Sequence, residues 1–113
     1  MTTMYLDSDG PLLGSESDAV DVLGDAFGVE ATMIAIPVER FRPEFFDLST
    51  RLMGEFVQKF ANYRIRLAIV GEIDDYTQVS EPLRAFVAES NRGRHIWFVA
   101  DRRSLQDRIA TIR

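Results

Sequence analysis

The sequence predicts a single α/β domain in which a mainly parallel sheet of four to five strands lies under covering helices. Three short runs, at residues 32–36, 67–70 and 95–99, are almost entirely apolar. A strand without alternation of apolar and polar residues is typical of a parallel sheet that is buried on both faces. Stretches with apolar residues at helical spacing separate these runs, so strands and helices alternate along the chain.

Length and composition favour one soluble domain. The chain has 113 residues, of which 46% are hydrophobic, and it has no cysteine. That supply of apolar residues suffices for one core, and disulfides and thiolate metal ligands are excluded. No apolar run approaches the ~20 residues of a membrane-spanning helix, and the first residues lack the pattern of a signal peptide. We therefore expect a cytoplasmic protein that does not associate with membranes.

The net charge of −5 is unevenly distributed along the chain. Residues 1–30 contain seven acidic residues and no basic ones, whereas all thirteen basic residues follow. An acidic N-terminal third argues against a nucleic-acid partner. We expect a protein partner of unknown identity, and self-association is a further expectation.

The first elements follow from local signals. Residues 3–6 are a candidate strand, and a turn at residues 7–11 leads to Leu12 and Leu13, which the pattern places in a second, hairpin strand. Ser15 and Asp18 have the spacing of a capping box, which predicts a helix over residues 16–27 that Gly28 ends. The predicted inward stripe of this helix consists of Ala19, Val20, Leu23, Ala26 and Phe27.

The central segment, residues 43–63, is interpreted as one long amphipathic helix that starts at Pro43 or, after a short turn, at Ser49. A basic turn and a strand ending in Gly71 follow. Ser80 is the predicted cap of a helix that reaches about Ser90, with an apolar face formed by Val79, Leu83, Phe86 and Val87. Asp101 is the predicted cap of a last helix, whose apolar residues are Leu105, Ile109 and Ile112.

Two segments carry a family resemblance, FFDLSTRLMGEFVQKFANYRIRLAIVG at residues 45–71 and ESNRGRHIWFVAD at residues 89–101. Through them the chain resembles the bacterial proteins known as domain of unknown function 4180, over about residues 6–108. That family has no established activity. It looks like a distant relative of STAS domains, the fold of anti-sigma-factor antagonists, which implies STAS-like βαβ repeats and a regulatory role through protein contacts.

The resemblance to STAS domains also implies a modification site. In anti-sigma-factor antagonists, a loop ending in Asp-Ser-Ser or Asp-Ser-Thr leads into a helix, and a partner kinase phosphorylates a serine there. The similar residues here are Asp47, Ser49, Thr50 and Arg51. A phosphate at a helix start is stabilised by free backbone N–H groups and by the helix dipole. Two alternatives remain: Ser49 lies within an unbroken helix, or Asp47 or Ser49 merely caps one.

Charged residues are expected to separate between the two ends of the sheet. The segments that follow the strands contain mostly acidic residues with two arginines: Asp7, Asp9, Glu39, Arg40, Glu72, Asp74, Asp75, Asp101 and Arg102. The segments before the last two strands contain Arg64, Arg66, Arg92 and Arg94. We therefore predict one acidic end and a basic interaction patch at the other, an arrangement that suits charge-steered protein contacts.

Catalytic motifs are absent from the sequence. His95 is the only histidine, and there is no Gly-x-Ser-x-Gly, phosphate-binding Gly-rich loop or Gly-x-Gly-x-x-Gly motif. The favoured hypothesis is a non-enzymatic regulatory module without a cofactor or metal, switched by phosphorylation near Ser49 or Thr50. The alternative is a small α/β enzyme or ligand-binding domain whose acidic strand ends use Mg²⁺.

Overall fold

The computed structural model describes residues 2–111 and contains one four-stranded sheet in which all neighbouring strands are parallel. The strand order follows the chain order. The strands are β1 (Thr3–Tyr5), β2 (Met33–Pro37), β3 (Arg66–Val70) and β4 (Ile96–Val99). The helices are α1 (Glu16–Gly28), α2 (Leu52–Asn62), α3 (Asp74–Thr77), α4 (Glu81–Arg92) and α5 (Arg102–Thr111). The predicted α/β class and the parallel packing of the three apolar runs are confirmed.

The two faces of the sheet are covered unequally. Alternate strand residues such as Ile34, Leu67 and Ile96 pack against α1, α2 and α4 in the larger core. The residues between them, including Ala35, Ala68 and Trp97, pack against Leu105 of α5 in a smaller core. The strands follow one another across the sheet in chain order, and connections of the same hand then place their helices on the same face. The other face is covered by α5, which follows the last strand. Ile112, which was predicted to extend the stripe of α5, lies outside the described residues.

The first helix forms as predicted but faces the core differently. Ser15 Oγ accepts the Asp18 N–H at 3.1 Å, and Asp18 in turn accepts the Ser15 N–H at 3.0 Å, which completes the capping box. The inward assignment of Val20 and Phe27 was wrong, because they are 45% and 50% exposed. Val22 is buried instead, so the buried stripe of α1 consists of Ala19, Val22, Leu23 and Ala26.

Two further local predictions were wrong. Leu13 forms no hairpin with the first strand; it makes an isolated parallel bridge with Phe41 instead. Val79 precedes α4 and is 85% exposed, so it does not belong to the apolar face of that helix. The Ser80 cap is confirmed, because its hydroxyl accepts the Leu83 N–H at 3.2 Å.

The helix predicted to start at Pro43 or Ser49 begins later, at Leu52, so only its later part exists as α2. Two short 3₁₀ turns, Pro43–Phe46 and Leu48–Thr50, precede α2. Asp47 is extended between them, and Arg51 has a left-handed backbone with φ 66°. Phe45 and Phe46 are both buried among other aromatic rings, so tertiary packing outweighs the helical period of this segment.

None of the helices described in residues 2–111 is both long enough and apolar enough to cross a lipid bilayer.

Candidate functional site

The turn before α2 brings together the four residues that the STAS resemblance singled out. Ser49 donates both its hydroxyl and its backbone N–H to Asp47 Oδ1, at 2.7 and 3.0 Å. These hydrogen bonds from Ser49, the hydroxyl first, lower the pKa of the Asp47 carboxyl below its ordinary value. Both side chains are exposed. The prediction of an unbroken helix through Ser49 is therefore wrong, and the Asp47 capping alternative describes the geometry.

Thr50 and Arg51 stabilise the same turn through hydrogen bonds and backbone conformation. The Thr50 hydroxyl lies 2.8 Å from the Asp47 carbonyl and 3.1 Å from the Glu44 carbonyl, and it accepts the Leu52 N–H at 3.2 Å. Arg51 turns the chain into α2 with its left-handed backbone. The Ser49 hydroxyl is thus the freer of the two candidate phosphoacceptors.

Two surface depressions border this turn. One, of about 360 Å³, is lined by Pro43, Phe46, Asp47, Tyr76, Val79 and Ser80. The other, of about 410 Å³, is lined by Leu48, Arg51, Gly54, Glu55 and Phe86. Gly54 leaves open space where a side chain would stand. Depressions with partly exposed apolar side chains beside a hydroxyl are a surface that a protein partner can cover.

The four residues of the predicted basic patch make different local contacts at the amino end of the sheet. Arg66 donates to the Arg94 carbonyl, and its guanidinium lies 4.4 Å from the centroid of the Trp97 ring. Arg92 instead pairs with Glu89 on α4 at 2.8 Å. Arg64 has a left-handed backbone in the turn before β3.

Sequence reasoning missed Arg108 at this end. Its guanidinium lies 4.2 Å from the centroid of the Trp97 ring, and it donates to the Asn91 carbonyl. The pKa of Arg66 is lowered by partial burial and by the nearby positive charges of Arg94 and Arg108. The available signal was the spacing of three residues between Leu105 and Arg108, which places the two side chains next to each other on α5.

At the carboxyl end of the sheet the segments after all four strands line one open cleft of about 430 Å³. Its charged residues are Asp7, Glu39, Asp101 and Arg102. Beside it, Asp74 and Asp101 raise the pKa of Glu72, with the charge of Asp74 as the main cause. Within residues 2–111, no three His, Cys, Asp or Glu side chains converge as a metal-binding group, so no cluster there supports the magnesium alternative.

Comparison with known proteins identifies the family. The family model described as "Domain of unknown function (DUF4180)" matches residues 1–109. The chain belongs to this family. Searches of curated proteins and of solved structures found no match. The assignment made from residues 45–71 and 89–101 is thereby confirmed for this DUF4180 domain, whereas its kinship with STAS domains stays a prediction.

His95 of this DUF4180 domain lies at the amino end, just before β4. It is half-buried as predicted, and its Nε2 has no hydrogen-bond partner in the described part of the chain. Burial and the nearby Arg66 lower the pKa of His95, while a hydrogen bond with the Val57 backbone opposes them. Burial and Arg66 both favour the neutral imidazole.

Proposed function

We propose that this DUF4180 domain is a cytoplasmic, non-enzymatic, STAS-like regulatory module that binds a protein partner over the turn before α2 and is switched by phosphorylation of Ser49. The observation that carries the proposal is the Ser49 hydroxyl itself. It is exposed and, among the described residues, hydrogen-bonded only to Asp47. Its chain neighbours Asp47, Leu48 and Arg51 line two open depressions.

The chemistry of the switch follows from the Asp47 contact. A partner kinase would transfer the terminal phosphoryl group of ATP to Ser49 Oγ, releasing ADP and the hydroxyl proton. The phosphate carries about −1.5 to −2 charges at pH 7, and it would repel the Asp47 carboxylate that now holds the turn. Arg51 is the nearest basic residue along the chain and is exposed to pair with it.

Thr50 is the second candidate and fits less well. Its hydroxyl lies within hydrogen-bond distance of the carbonyls of Glu44 and Asp47, and it accepts the backbone N–H of Leu52, the first residue of α2. Phosphorylation there would remove these contacts and disturb the start of the helix. We therefore assign the switch to Ser49.

Partner capture with matched variants tests the proposal. A genuine partner binds the unmodified chain, loses binding with Val79→Glu, which places a charge in one depression, and changes binding with Ser49→Asp. Ser17→Asp makes the same change on the exposed face of α1 and should leave capture unchanged.

Ser49→Ala, which keeps the turn but removes the acceptor, should bind like the unmodified chain and should abolish phosphorylation when the purified kinase is supplied. If no captured protein responds to both Val79→Glu and Ser49→Asp, the proposal fails. Equal responses to Ser49→Asp and Ser17→Asp would also contradict it.

The amino-end patch of Arg64, Arg66, Arg92 and Arg94 has a supporting role in this proposal. Its positive charge steers an acidic surface, on a partner or on a second copy, toward the domain. The ligand-binding alternative is favoured by one observation, the cleft at the carboxyl end of the sheet.

A further inference from the structure

We propose that the cleft at the carboxyl end of the sheet binds a small organic cation, an amine or guanidinium on a short hydrocarbon chain, over the ring of Tyr5 and beside the carboxylates of Asp7 and Glu39. This site is separate from the turn at Ser49 and does not depend on the proposed function.

The cleft has the size and the apolar lining that a small ligand needs. Its volume of about 430 Å³ lies within the range of small-molecule sites, roughly 300–1,000 Å³. Apolar side chains from all four strand ends line it: Leu6, Ala35, Pro37, Val70 and Ala100. Ligands of open parallel sheets bind at this end of the strands. Because polar residues line the same cleft, the lining suits a ligand that carries both a charge and hydrocarbon.

The charge of the cleft points to a cation. The ion pairs found within residues 2–111 are Lys59–Glu16, Arg84–Glu81 and Arg92–Glu89, and none involves a carboxylate of the cleft. The neighbouring Arg40 guanidinium donates to the backbone carbonyls of Asp7 and Pro11. The carboxylates of Asp7 and Glu39 are therefore available to a ligand.

An intramolecular contact already shows how a cation fits. The Arg102 guanidinium lies over the Tyr5 ring, 3.7 Å from its centroid. An aromatic face attracts a cation by about 0.5–2 kcal/mol, depending on solvation. Arg102 is exposed and makes no ion pair within residues 2–111, so a ligand cation can take its place over the ring.

An anionic ligand is disfavoured, although α5 begins at this cleft. The positive end of a helix dipole attracts anions, but here the Asp101 carboxylate already accepts the Ser104 N–H at 2.7 Å. That hydrogen bond lowers the pKa of Asp101, which keeps its negative charge at the cleft. Among residues 2–111, Arg102 is then the only basic residue that lines the cleft.

Titration with a matched pair of probes tests the site. Putrescine (1,4-diaminobutane) and 1,4-butanediol share a four-carbon chain and differ in charge. At constant ionic strength, putrescine should give saturable calorimetric heats and saturable amide shifts at Gly71 and Ala100, whereas 1,4-butanediol should give neither. Shifts that grow linearly with putrescine, or that centre on the acidic helix α1, would overturn the proposal.

Charge-matched variants separate a built site from general attraction. Asp7→Asn with Glu39→Gln should weaken putrescine binding about tenfold. Asp21→Asn with Asp25→Asn removes the same charge from α1 and should leave affinity within about twofold. Equal weakening by both pairs would show attraction to the acidic chain alone and would refute the site.

Arg102→Gln tests the position over Tyr5. It uncovers the ring and should strengthen putrescine binding at least threefold more than Arg103→Gln, which makes the same charge change one residue away. Both side chains are exposed, so both variants are expected to fold. If the two variants bind putrescine equally, the ring of Tyr5 is not part of the site.

Discussion

Asp18 and Asp47 hold the chain at two turns by the same means, a carboxylate that accepts nearby backbone N–H groups. Asp18 Oδ2 accepts those of Gly14 and Ser15 at 2.9 and 3.0 Å. Burial alone would raise the pKa of Asp18, but these hydrogen bonds lower it overall. Asp47 Oδ1 likewise accepts the backbone N–H of Ser49. The difference is exposure: Ser49 is exposed, whereas Ser15 is half-buried, so the turn at Asp47 is the more accessible to modification.

His95 gives a prediction about pH at the scale of a single residue. Its pKa is lower in the folded protein than the ordinary 6.5, because it is half-buried and close to Arg66. Below about pH 6.5 the unfolded chain binds more protons at this residue than the folded chain does. The free energy of unfolding therefore decreases as the pH is lowered, until the pH reaches the folded-state pKa. The loss amounts to about 1.4 kcal/mol per unit of pKa difference. Urea denaturation between about pH 5 and 8 should show this slope.

The same titration has a built-in control. His95→Gln should abolish the slope near pH 6, because no other histidine is present. Glu72 has a raised pKa, so the folded protein binds more protons there and stability falls as pH rises through its range. Glu72→Gln should remove that opposing slope and keep the His95 slope. A His95→Gln variant that retains the loss of stability near pH 6 would contradict the assignment.

At the scale of an element, the end of α1 contains an unfavourable residue. Glu30 has a left-handed backbone with φ 56°, at the position after the C-cap where glycine is usual. The Ala31 N–H donates to the Ala26 carbonyl at 2.9 Å, as in a Schellman motif. A negative charge also lies against the negative end of the helix dipole there.

Glu30→Gly should therefore stabilise the protein by about 1 kcal/mol, since the left-handed cost of roughly 1–2 kcal/mol is only partly offset by the greater freedom of the unfolded chain. Glu30→Gln removes only the charge and should give a few tenths of a kcal/mol. The midpoint of guanidinium denaturation measures both. A Gly variant no more stable than the Gln variant would show that the backbone of residue 30 carries no strain.

The sequence predicted elements well where the local signals agreed with the core, as at Ser15 and Ser80. It failed at residues 43–51 for a physical reason. The helical spacing there is real, but the Phe45 and Phe46 rings fill an aromatic cluster with Phe41, Phe56 and Tyr76. Asp47 and Thr50 also offer the backbone local hydrogen bonds that compete with a helix. Neither effect can be seen in the spacing of apolar residues.

For the candidate sites, only the residues that lie close together in the sequence could be predicted. The likeness at residues 47–54 located the turn, but the two depressions depend on Tyr76 and Phe86 from later elements. The carboxyl-end acids were predicted from strand order, whereas the contact of Arg102 with Tyr5 joins the two ends of the chain. Such contacts follow from the path of α5 beneath the sheet.

At the scale of the whole molecule, charge is separated across the sheet. Helix α1, on the larger core, contains four acidic residues and no basic one. Helix α5, on the other face, contains Arg102, Arg103 and Arg108 against one acid, Asp107. The domain measures 36 × 31 × 26 Å. At about 10 mM salt the screening length is ~30 Å, so the charges of one side act across the domain, whereas ~1 M salt reduces that length to ~3 Å.

The separation of charge predicted between the two ends of the sheet, amino end basic and carboxyl end acidic, favours head-to-tail association at low salt. Sedimentation velocity should show a weight-average mass that rises with concentration at about 10 mM salt and stays monomeric near 1 M. Arg92→Ala with Arg94→Ala should lower that association, because both residues lie at the amino end where the basic patch was predicted. Arg84→Ala with Arg103→Ala removes equal charge from positions nearer the carboxyl end and should lower it less. Equal effects of the two pairs, or one mass at both salt concentrations, would rule out a specific role for the amino end.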